Sequence, residues 1–461
     1  MLFNSFEFIF IFMPIVILGG YLIKKYVKHW NARASLWLGI TSLFFYAYWK
    51  LEYLPVILVS ILVNYIISLL IIKSPFRKTF MLIGISFNLL YLGYYKYFSF
   101  LIANINQVFN TQFPLQEMTL PLAISFFTFQ QISYIVDVYR DRNDSLSFVH
   151  YCFYILFFPQ LIAGPILQLG DIRPQIGEIA KPFRSRYFAI GFFLFTIGLS
   201  KKVLLADKLS VWVQNGYDHI GLISTAEAWF STLAYTFQIY FDFSGYSDMA
   251  IGLALLFRIE LPMNFFSPYK ALNIQEFWRR WHITLTRFLT KYLYIPLGGS
   301  RKSQTRTYIN IFLVFFVSGI WHGAGWTFIL WGIFHGIAQV VFHLWRKLNL
   351  TLHKAAAWFL TFLFVHFTWI FFRASSVGQA LEMVKALFGQ ALNEGVKPSA
   401  IPVELVLLVA VSTILAFFTR NSMQWKDHFK PNIFFMAMTV LLFVVCLFHL
   451  QALSEFLYFN F

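Results

Sequence analysis

The chain has 461 residues, of which 59% are hydrophobic, 21% are aromatic and 12% are charged. A soluble domain usually carries about 25% charged residues, so this composition excludes an ordinary soluble protein and predicts a polytopic membrane protein. The formal net charge of +16 does not favour nucleic-acid binding, because Lys and Arg fall in short loops between apolar runs, as the positive-inside rule expects.

Long apolar runs in the first third of the chain predict membrane-spanning helices, since crossing a bilayer takes about 20 apolar residues. The predicted spans are residues 6–23, 36–49, 53–72, 79–103 and 120–138. The segments that connect them alternate between basic and uncharged. By the positive-inside rule we expect the basic loops 24–33, 73–78 and 140–142 in the cytoplasm, and the N-terminus and loop 104–119 outside.

The apolar run at residues 148–169 departs from this regular pattern. Pro159, Gly164 and Pro165 interrupt it. Proline removes a backbone donor and clashes with the preceding helical turn, so the run predicts a broken or re-entrant helix. A simple kinked span is the alternative.

Two further spans are predicted at residues 187–205 and 229–258, and the second carries carboxylates. Asp242 and Asp248 stand among hydroxyl-bearing side chains. Intramembrane carboxylates are costly unless they meet donors, so we expect both to be functional and to pair with Arg258 or with the basic residues after it.

Aromatic residues stand among arginines in residues 274–287. The pattern predicts an amphipathic helix in the membrane interface, with aromatic anchors at Phe277, Trp278, Trp281 and Phe288.

The basic segment 279–306 overlaps this stretch and includes Arg279, Arg280 and Arg301 and a glycine-rich loop at residues 297–302. These cations suit a phosphate-bearing cofactor that arrives from the cytoplasm. Ordinary positive-inside charge explains them equally well.

A histidine stands at the break between two apolar helices. Residues 307–320 cover about 20 Å as a helix, less than a bilayer core of roughly 30 Å, so we expect the turn at 321–326 to lie within the membrane. His322 lies in this turn beside Trp321, and Trp281-His282 repeats the Trp-His pair. A neutral imidazole suits general-base removal of a proton from a hydroxyl that attacks a thioester. A buried structural histidine is the alternative. For His335 we favour a packing role over that of a hydrogen-bond relay.

The C-terminal part completes an all-α prediction. Further spans are expected at residues 328–345, 356–372, 401–418 and 433–450. The loop 373–398 is then external, the basic loop 420–430 is internal, and the C-terminus is outside. We expect eleven or twelve full spans with re-entrant and interfacial helices. Cys152 and Cys446 lack metal-ligand spacing or a nearby partner, so they predict no disulfide framework and no zinc site.

Motifs across nearly the whole chain resemble the membrane-bound O-acyltransferase (MBOAT) family, and within it the alginate O-acetylase branch. They are LPLAISFFTFQ at 120–130, DVYR at 137–140, FPQLIAGP at 158–165, FDFSGYSD at 241–248, FWRRWH at 277–282, YIPLGG at 294–299 and GIWHGAGW at 319–326. The resemblance implies one transmembrane domain over residues 1–461, with a signature core at about 120–345 and C-terminal helices at 356–461. Its helices would surround a central funnel.

The resemblance also implies an activity. His322 matches the family's catalytic histidine, and His282 lies in a second signature region. We interpret Trp321, Arg279, Arg280, Arg301, Asp242 and Asp248 as donor- or substrate-binding residues. The implied donor is acetyl-CoA, with no bound cofactor and no metal. The implied location is the bacterial inner membrane with both termini in the periplasm, where an SGNH-type acetyltransferase partner finishes the transfer to a polysaccharide.

The acceptor stays open at this point. Alginate or a similar exopolysaccharide is the first expectation, and peptidoglycan O-acetylation and D-alanyl transfer to teichoic acid are alternatives. A transporter or channel with broken helices at its midplane is an alternative of another class, in which Asp242, Asp248 and the histidines couple ions. The sequence shows no second half that matches the first, which disfavours it.

Overall fold

A computed structural model describes residues 1–26, 30–115, 119–141, 145–181, 183–389, 401–450 and 456–457. Within these ranges the regular structure is helical and contains no strand, so the all-α prediction is confirmed. Parts of the predicted loops 24–33, 104–119, 140–142 and 373–398, and the last four residues of the chain, lie outside the described residues.

The α-helices are numbered in chain order. They are α1 Met13–Tyr26, α2 Trp30–Ala47, α3 Leu54–Lys73, α4 Arg77–Leu92, α5 Phe98–Phe109, α6 Ile124–Arg140, α7 Phe148–Leu156, α8 Phe158–Leu161, α9 Leu169–Ile172, α10 Ser185–Ser200, α11 Asp207–Asp218, α12 Thr225–Leu256, α13 Ile274–Arg280, α14 Ile283–Leu289, α15 Gln304–His322, α16 Trp326–Lys347, α17 Lys354–Arg373, α18 Val377–Leu387, α19 Val403–Phe417, α20 Ser422–Asp427 and α21 Ile433–Leu447. Wider π-turns join α4 to α5 at Gly93–Tyr97 and α10 to α11 at Lys201–Ala206.

In the part of the chain that the structure describes, four helical segments are long and apolar enough to cross a membrane, which supports a multi-pass membrane protein. They are Leu51–Lys73, Ser185–Asp218, Trp326–Lys347 and Lys354–Arg373. Three shorter apolar helices lie at Phe8–Ile23, Val403–Phe417 and Ile433–Leu447. By length and hydropathy these are fewer full spans than the eleven or twelve expected. One reason is that a break divides an apolar run, as between α7 and α8.

The described chain divides into two compact units. The first comprises residues 1–195 and 247–262, and the second comprises residues 196–246 and 263–461. The interpretation of the whole chain as one domain around a funnel stays a prediction.

The first unit contains the broken helix that the prolines predict. Helix α7 ends before Phe157, and Pro159 lies in the first turn of the short helix α8. Gly164 approaches the α8 backbone so closely that a Cβ there would lie 2.4 Å from the Cα of Gln160. The prediction of an interrupted helix in residues 148–169 is therefore confirmed.

Polar N-caps begin several helices of the second unit. The side chains of Asn273, Ser303, Ser376, Asn421 and Asn432 accept backbone N–H bonds at the starts of α13, α15, α18, α20 and α21. Each cap satisfies a donor that the helix itself leaves unpaired.

The N-cap at Ser303 places the start of α15 before the predicted apolar run. Helix α15 begins at Gln304 and includes Trp321 and His322 in its last turn. Its 19 residues span about 28 Å. The expected bounds of 307–320 were wrong, because the helix starts three residues earlier and ends two residues later than the apolar run. Its length still falls just short of a bilayer core of roughly 30 Å, and α15 is not among the helices long and apolar enough to cross a membrane.

Helices α15 and α16 pack through glycines. A Cβ at Gly319 would lie 2.5 Å from the carbonyl oxygen of Phe328 and 2.9 Å from the Cα of Gly332. A Cβ at Gly332 would in turn lie 2.6 Å from the carbonyl oxygen of Phe315. The two backbones therefore touch, as small-residue interfaces in membranes allow.

We expect Gly319→Ala to destabilise the protein, because its methyl group would press on backbone that cannot move aside. Overpacking of this kind costs about 1–3 kcal/mol. The measurement is thermal unfolding of the purified protein in detergent. Gly39→Ala on α2 is the matched control, since no heavy atom lies within 4 Å of a Cβ at that position. Equal melting temperatures for the two variants would contradict the packing account.

Candidate functional site

The first site residue stands in a break between two short helices. Helix α13 ends at Arg280 and α14 begins at Ile283, so Trp281 and His282 connect them. The backbone of His282 has a φ of +42°, which is uncommon for a residue other than glycine. The predicted continuous helix over 274–287 is therefore wrong.

One side chain holds this break in place. Asn264 Oδ1 accepts hydrogen bonds from the backbone N–H of Thr284 at 3.2 Å and from its hydroxyl at 3.0 Å. The same oxygen lies 3.1 Å from Nδ1 of His282. Because an amide oxygen only accepts, Nδ1 carries the proton and Nε2 is the basic nitrogen of the ring.

The aromatic residues around this break lie inside the protein. Phe277, Trp278, Trp281 and Phe288 are all buried, so the expectation that they anchor an interfacial helix was wrong. The ring of Trp281, for example, lies 4.9 Å from that of Trp369 by centroid distance. The physical reason is that a dense aromatic cluster of the second unit surrounds these rings, which hydropathy along one segment does not reveal.

The second site residue ends α15. His322 is 2% exposed, and its ring packs on Trp331 and Phe372 with centroid distances of 4.9 and 5.1 Å. After it, Gly323 has extended backbone, and a Cβ there would lie 2.2 Å from the ring of Phe328. The glycines near His322 therefore make room for α16 and Phe328.

The histidines of the two Trp-His pairs both lie beside the indole ring of Trp321. The ring centroid of Trp321 lies 5.0 Å from that of His322 and 6.1 Å from that of His282. The structure thus brings His282, Trp321 and His322 together across 40 residues of sequence. These three residues, which we call the histidine pair and its tryptophan, form the candidate active site.

His335 does more than pack. Its Nδ1 accepts a hydrogen bond from the indole N–H of Trp278 at 3.1 Å, and its Nε2 lies 3.1 Å from the hydroxyl of Thr368. The ring also packs on Trp331 at 4.7 Å. Both nitrogens have partners, so His335 links α13, α16 and α17 behind the candidate site.

Asp242 belongs to a buried ionic cluster. Lys202 Nζ lies 2.8 Å from a carboxylate oxygen of Asp207 and 2.8 Å from one of Asp242. The other oxygen of Asp242 accepts the backbone N–H of Leu457 at 2.9 Å. The three charged side chains, which we call the lysine cluster, form two buried ion pairs that share one cation.

The expected partner of Asp242 was wrong. Arg258 pairs with Glu178 at 2.9 Å, and the cation at Asp242 comes from Lys202. The Lys201-Lys202 pair and Asp207 five residues later were the sequence signal for this cluster. Asp248 is buried on α12 and belongs to the first unit.

The arginines of the basic segment are placed differently from one another. Arg279 and Arg301 are exposed. Arg280 pairs with Glu276 at 2.7 Å and donates to the carbonyl of Phe266 at 3.3 Å. In the adjacent loop, Gly298 and Gly299 have φ values of +107° and +54°, a region that favours glycine.

The chemistry available at His282 is that of neutral imidazole. His282 lies outside the helices that are long enough to cross a membrane, and burial lowers its pKa to about 3, so the ring is uncharged at neutral pH. A neutral ring can accept a proton from a hydroxyl. No group of three or more His, Cys, Asp or Glu residues in the described ranges can hold a metal ion.

Comparisons with known proteins agree with the resemblance seen in the motifs. The family model described as "MBOAT, membrane-bound O-acyltransferase family" matches residues 139–377. The chain is 44% identical to a peptidoglycan O-acetyltransferase of Helicobacter pylori, over 84% of this chain and 80% of that protein. It is 37% identical to a probable alginate O-acetylase of Pseudomonas aeruginosa, over 91% of this chain and 81% of that protein. A teichoic acid D-alanyltransferase of Streptococcus thermophilus is 25% identical over 50% of this chain and 59% of that protein.

The lysine cluster generates a prediction about stability. We expect Lys202→Met to destabilise the protein by about 3–5 kcal/mol, because it leaves two buried carboxylates without their cation. The measurement is the melting temperature in detergent. Lys208→Met, on the same stretch of helix but only half-buried, is the matched control and should change it little. A Lys202→Met protein as stable as the control would contradict the ionic account.

Proposed function

The chain belongs to the membrane-bound O-acyltransferase family, and from this premise we propose that it moves acetyl groups from cytoplasmic acetyl-CoA across the membrane to a cell-wall glycan outside. Membership makes the protein a membrane-bound acyltransferase that acts on a cell-envelope polymer. The donor, the polymer and the roles of individual residues are parts of the proposal.

The observation that carries this function is the meeting of His282 and His322 at Trp321. His322 acts as the general base. Its imidazole takes the proton of an acceptor hydroxyl while the oxygen attacks the thioester carbonyl. The new C–O bond forms, the C–S bond breaks, and the thiolate of coenzyme A leaves and takes up a proton.

His282 supports this reaction from the other side of Trp321. Asn264 fixes its ring orientation, and its buried position keeps it neutral. The aromatic walls around both histidines exclude water, which limits wasteful hydrolysis of the thioester. A positioned base typically contributes 10²–10⁴-fold to such a step, and the held geometry adds to it.

Peptidoglycan is the acceptor that we favour. The identity of 44% to a peptidoglycan O-acetyltransferase supports it over alginate, for which the compared protein is 37% identical. Alginate or a similar exopolysaccharide is the second candidate. D-alanyl transfer has weaker support, since that relative matches only half of this chain. Acetyl content of purified cell wall, measured against that of secreted polysaccharide, separates the first two.

The proposed route places the enzyme in the bacterial inner membrane with both termini in the periplasm. The alternation of basic and uncharged loops supports this orientation. A periplasmic SGNH-type acetyltransferase would receive the acetyl group and finish the transfer to the glycan.

The first functional prediction concerns His322. We expect His322→Gln to lower acetyl transfer 10²–10⁴-fold, because glutamine cannot take the proton at neutral pH. Protein level in the membrane and melting temperature should stay near those of the wild type. His282→Ala should lower transfer less and more variably, because a supporting residue tolerates partial substitution.

The assay is the acetyl content of the envelope polymer in cells that carry each variant. Thr368→Val is a control, since it removes a hydroxyl behind the site without touching either histidine of the pair. Full acetylation by a well-expressed His322→Gln protein would refute the role of His322 as general base and would favour the transporter hypothesis.

The second prediction concerns the donor. If Arg279, Arg280 and Arg301 hold the phosphates of coenzyme A, their replacement by Gln should raise the KM for acetyl-CoA with little change in kcat. Arg420→Gln is the matched control, an exposed arginine outside this segment. Unchanged donor kinetics with reduced membrane insertion would instead identify these arginines as topological anchors.

A further inference from the structure

The first unit contains a cavity of about 520 Å³ that the proposed chemistry does not use. One wall comes from α1 and α2. The other comes from the end of α12 at 256–258 and from six residues before and at the start of α10, namely Ile179, Lys181, Phe183, Arg184, Tyr187 and Phe188. The volume lies within the range of pockets that hold small molecules. Its wall is mainly apolar, with cations at one part of the rim.

Trp37 forms a central part of the apolar wall of the cavity. Its indole N–H donates to the carbonyl of Val16 at 3.0 Å, and its ring lies where a Cβ at Gly19 would be only 2.3 Å away. The ring therefore lies flat along α1. Leu18 and Tyr21 of the same helix line the cavity and remain more than half exposed, so this apolar surface is open to a ligand.

Three cations share the other part of the lining, namely Lys181, Arg184 and Arg258. Arg258 has a φ of +64°, a strained backbone for a residue with a side chain. Its side chain is 9% exposed and pairs with Glu178 at 2.9 Å. Lys181 pairs with the same carboxylate.

Arg184 supplies charge that no carboxylate offsets. It is exposed and forms no ion pair within the described part of the chain. Three cations against the single carboxylate Glu178 leave the rim with an excess of positive charge. An anion at this rim is therefore favoured, and guanidinium groups match the geometry of phosphate.

We propose that this cavity binds an anionic glycerophospholipid of the membrane. The headgroup phosphate lies at Arg184 and its neighbouring cations, and an acyl chain follows Trp37, Leu18 and Phe188. A free phosphate would leave the apolar wall in contact with water. Coenzyme A would place its many polar groups along a wall that offers few hydrogen-bond partners. A lipid satisfies both parts of the lining.

The test is native mass spectrometry of the protein released from vesicles of equal phosphatidylglycerol and phosphatidylcholine. The wild type should retain phosphatidylglycerol in preference to phosphatidylcholine. Arg184→Gln should lower that retention roughly fivefold, the effect of one basic residue at an anionic membrane surface. Arg186→Gln, an exposed neighbour outside the cavity lining, should retain the lipid as the wild type does.

A second measurement locates the acyl chain. Phosphatidylglycerol with brominated chains should quench part of the tryptophan fluorescence, and Trp37→Phe should remove that part. Equal retention of both lipids, equal loss in the Arg184 and Arg186 variants, or displacement of the lipid by acetyl-CoA or inorganic phosphate would each overturn the proposal. The readouts are lipid binding only, so they are independent of acetyl transfer.

Discussion

The contact of α15 with α16 through Gly319 and Gly332 is the constraint on which the candidate site depends. Backbone touches backbone there, so the two helices have one separation and one register. That register places Trp331 against the ring of His322. One turn later it places His335 where Trp278 and Thr368 can bond both of its nitrogens. A larger side chain at either glycine would move all of these groups together.

The polar groups around the site are fixed by the cost of burying them. An unpaired polar group in an apolar interior costs several kcal/mol, and specific partners offset this cost for several of the groups. Asn264 holds His282 and the start of α14, and Lys202 holds Asp207 and Asp242. Satisfied partners make the interior rigid. A rigid and dry interior is what a reaction between a thioester and a weakly acidic hydroxyl needs.

The sequence predicted the features that depend on residues close together in the chain. Prolines and a glycine interrupt the helix at residues 157–165 in the structure as in the sequence pattern, and the repeated Trp-His pair led to the two histidines that meet at Trp321. The sequence did not predict features that depend on residues far apart in the chain. Asn264 breaks the helix at His282 from 18 positions away, and Lys202 reaches Asp242 across 40 residues. The start of α15 was misjudged because the Ser303 cap extends the helix into a polar stretch that hydropathy assigns to a loop.

Vectorial transfer is the central claim of this account, and reconstituted vesicles test it most directly. The purified protein would be placed in liposomes of known orientation, with acetyl-labelled coenzyme A on the face that bears the basic loops and a hydroxyl acceptor or the periplasmic partner on the other face only. We predict that the acetyl label reaches the acceptor across an intact bilayer. Label that appears only on acceptors on the donor's own face would contradict it.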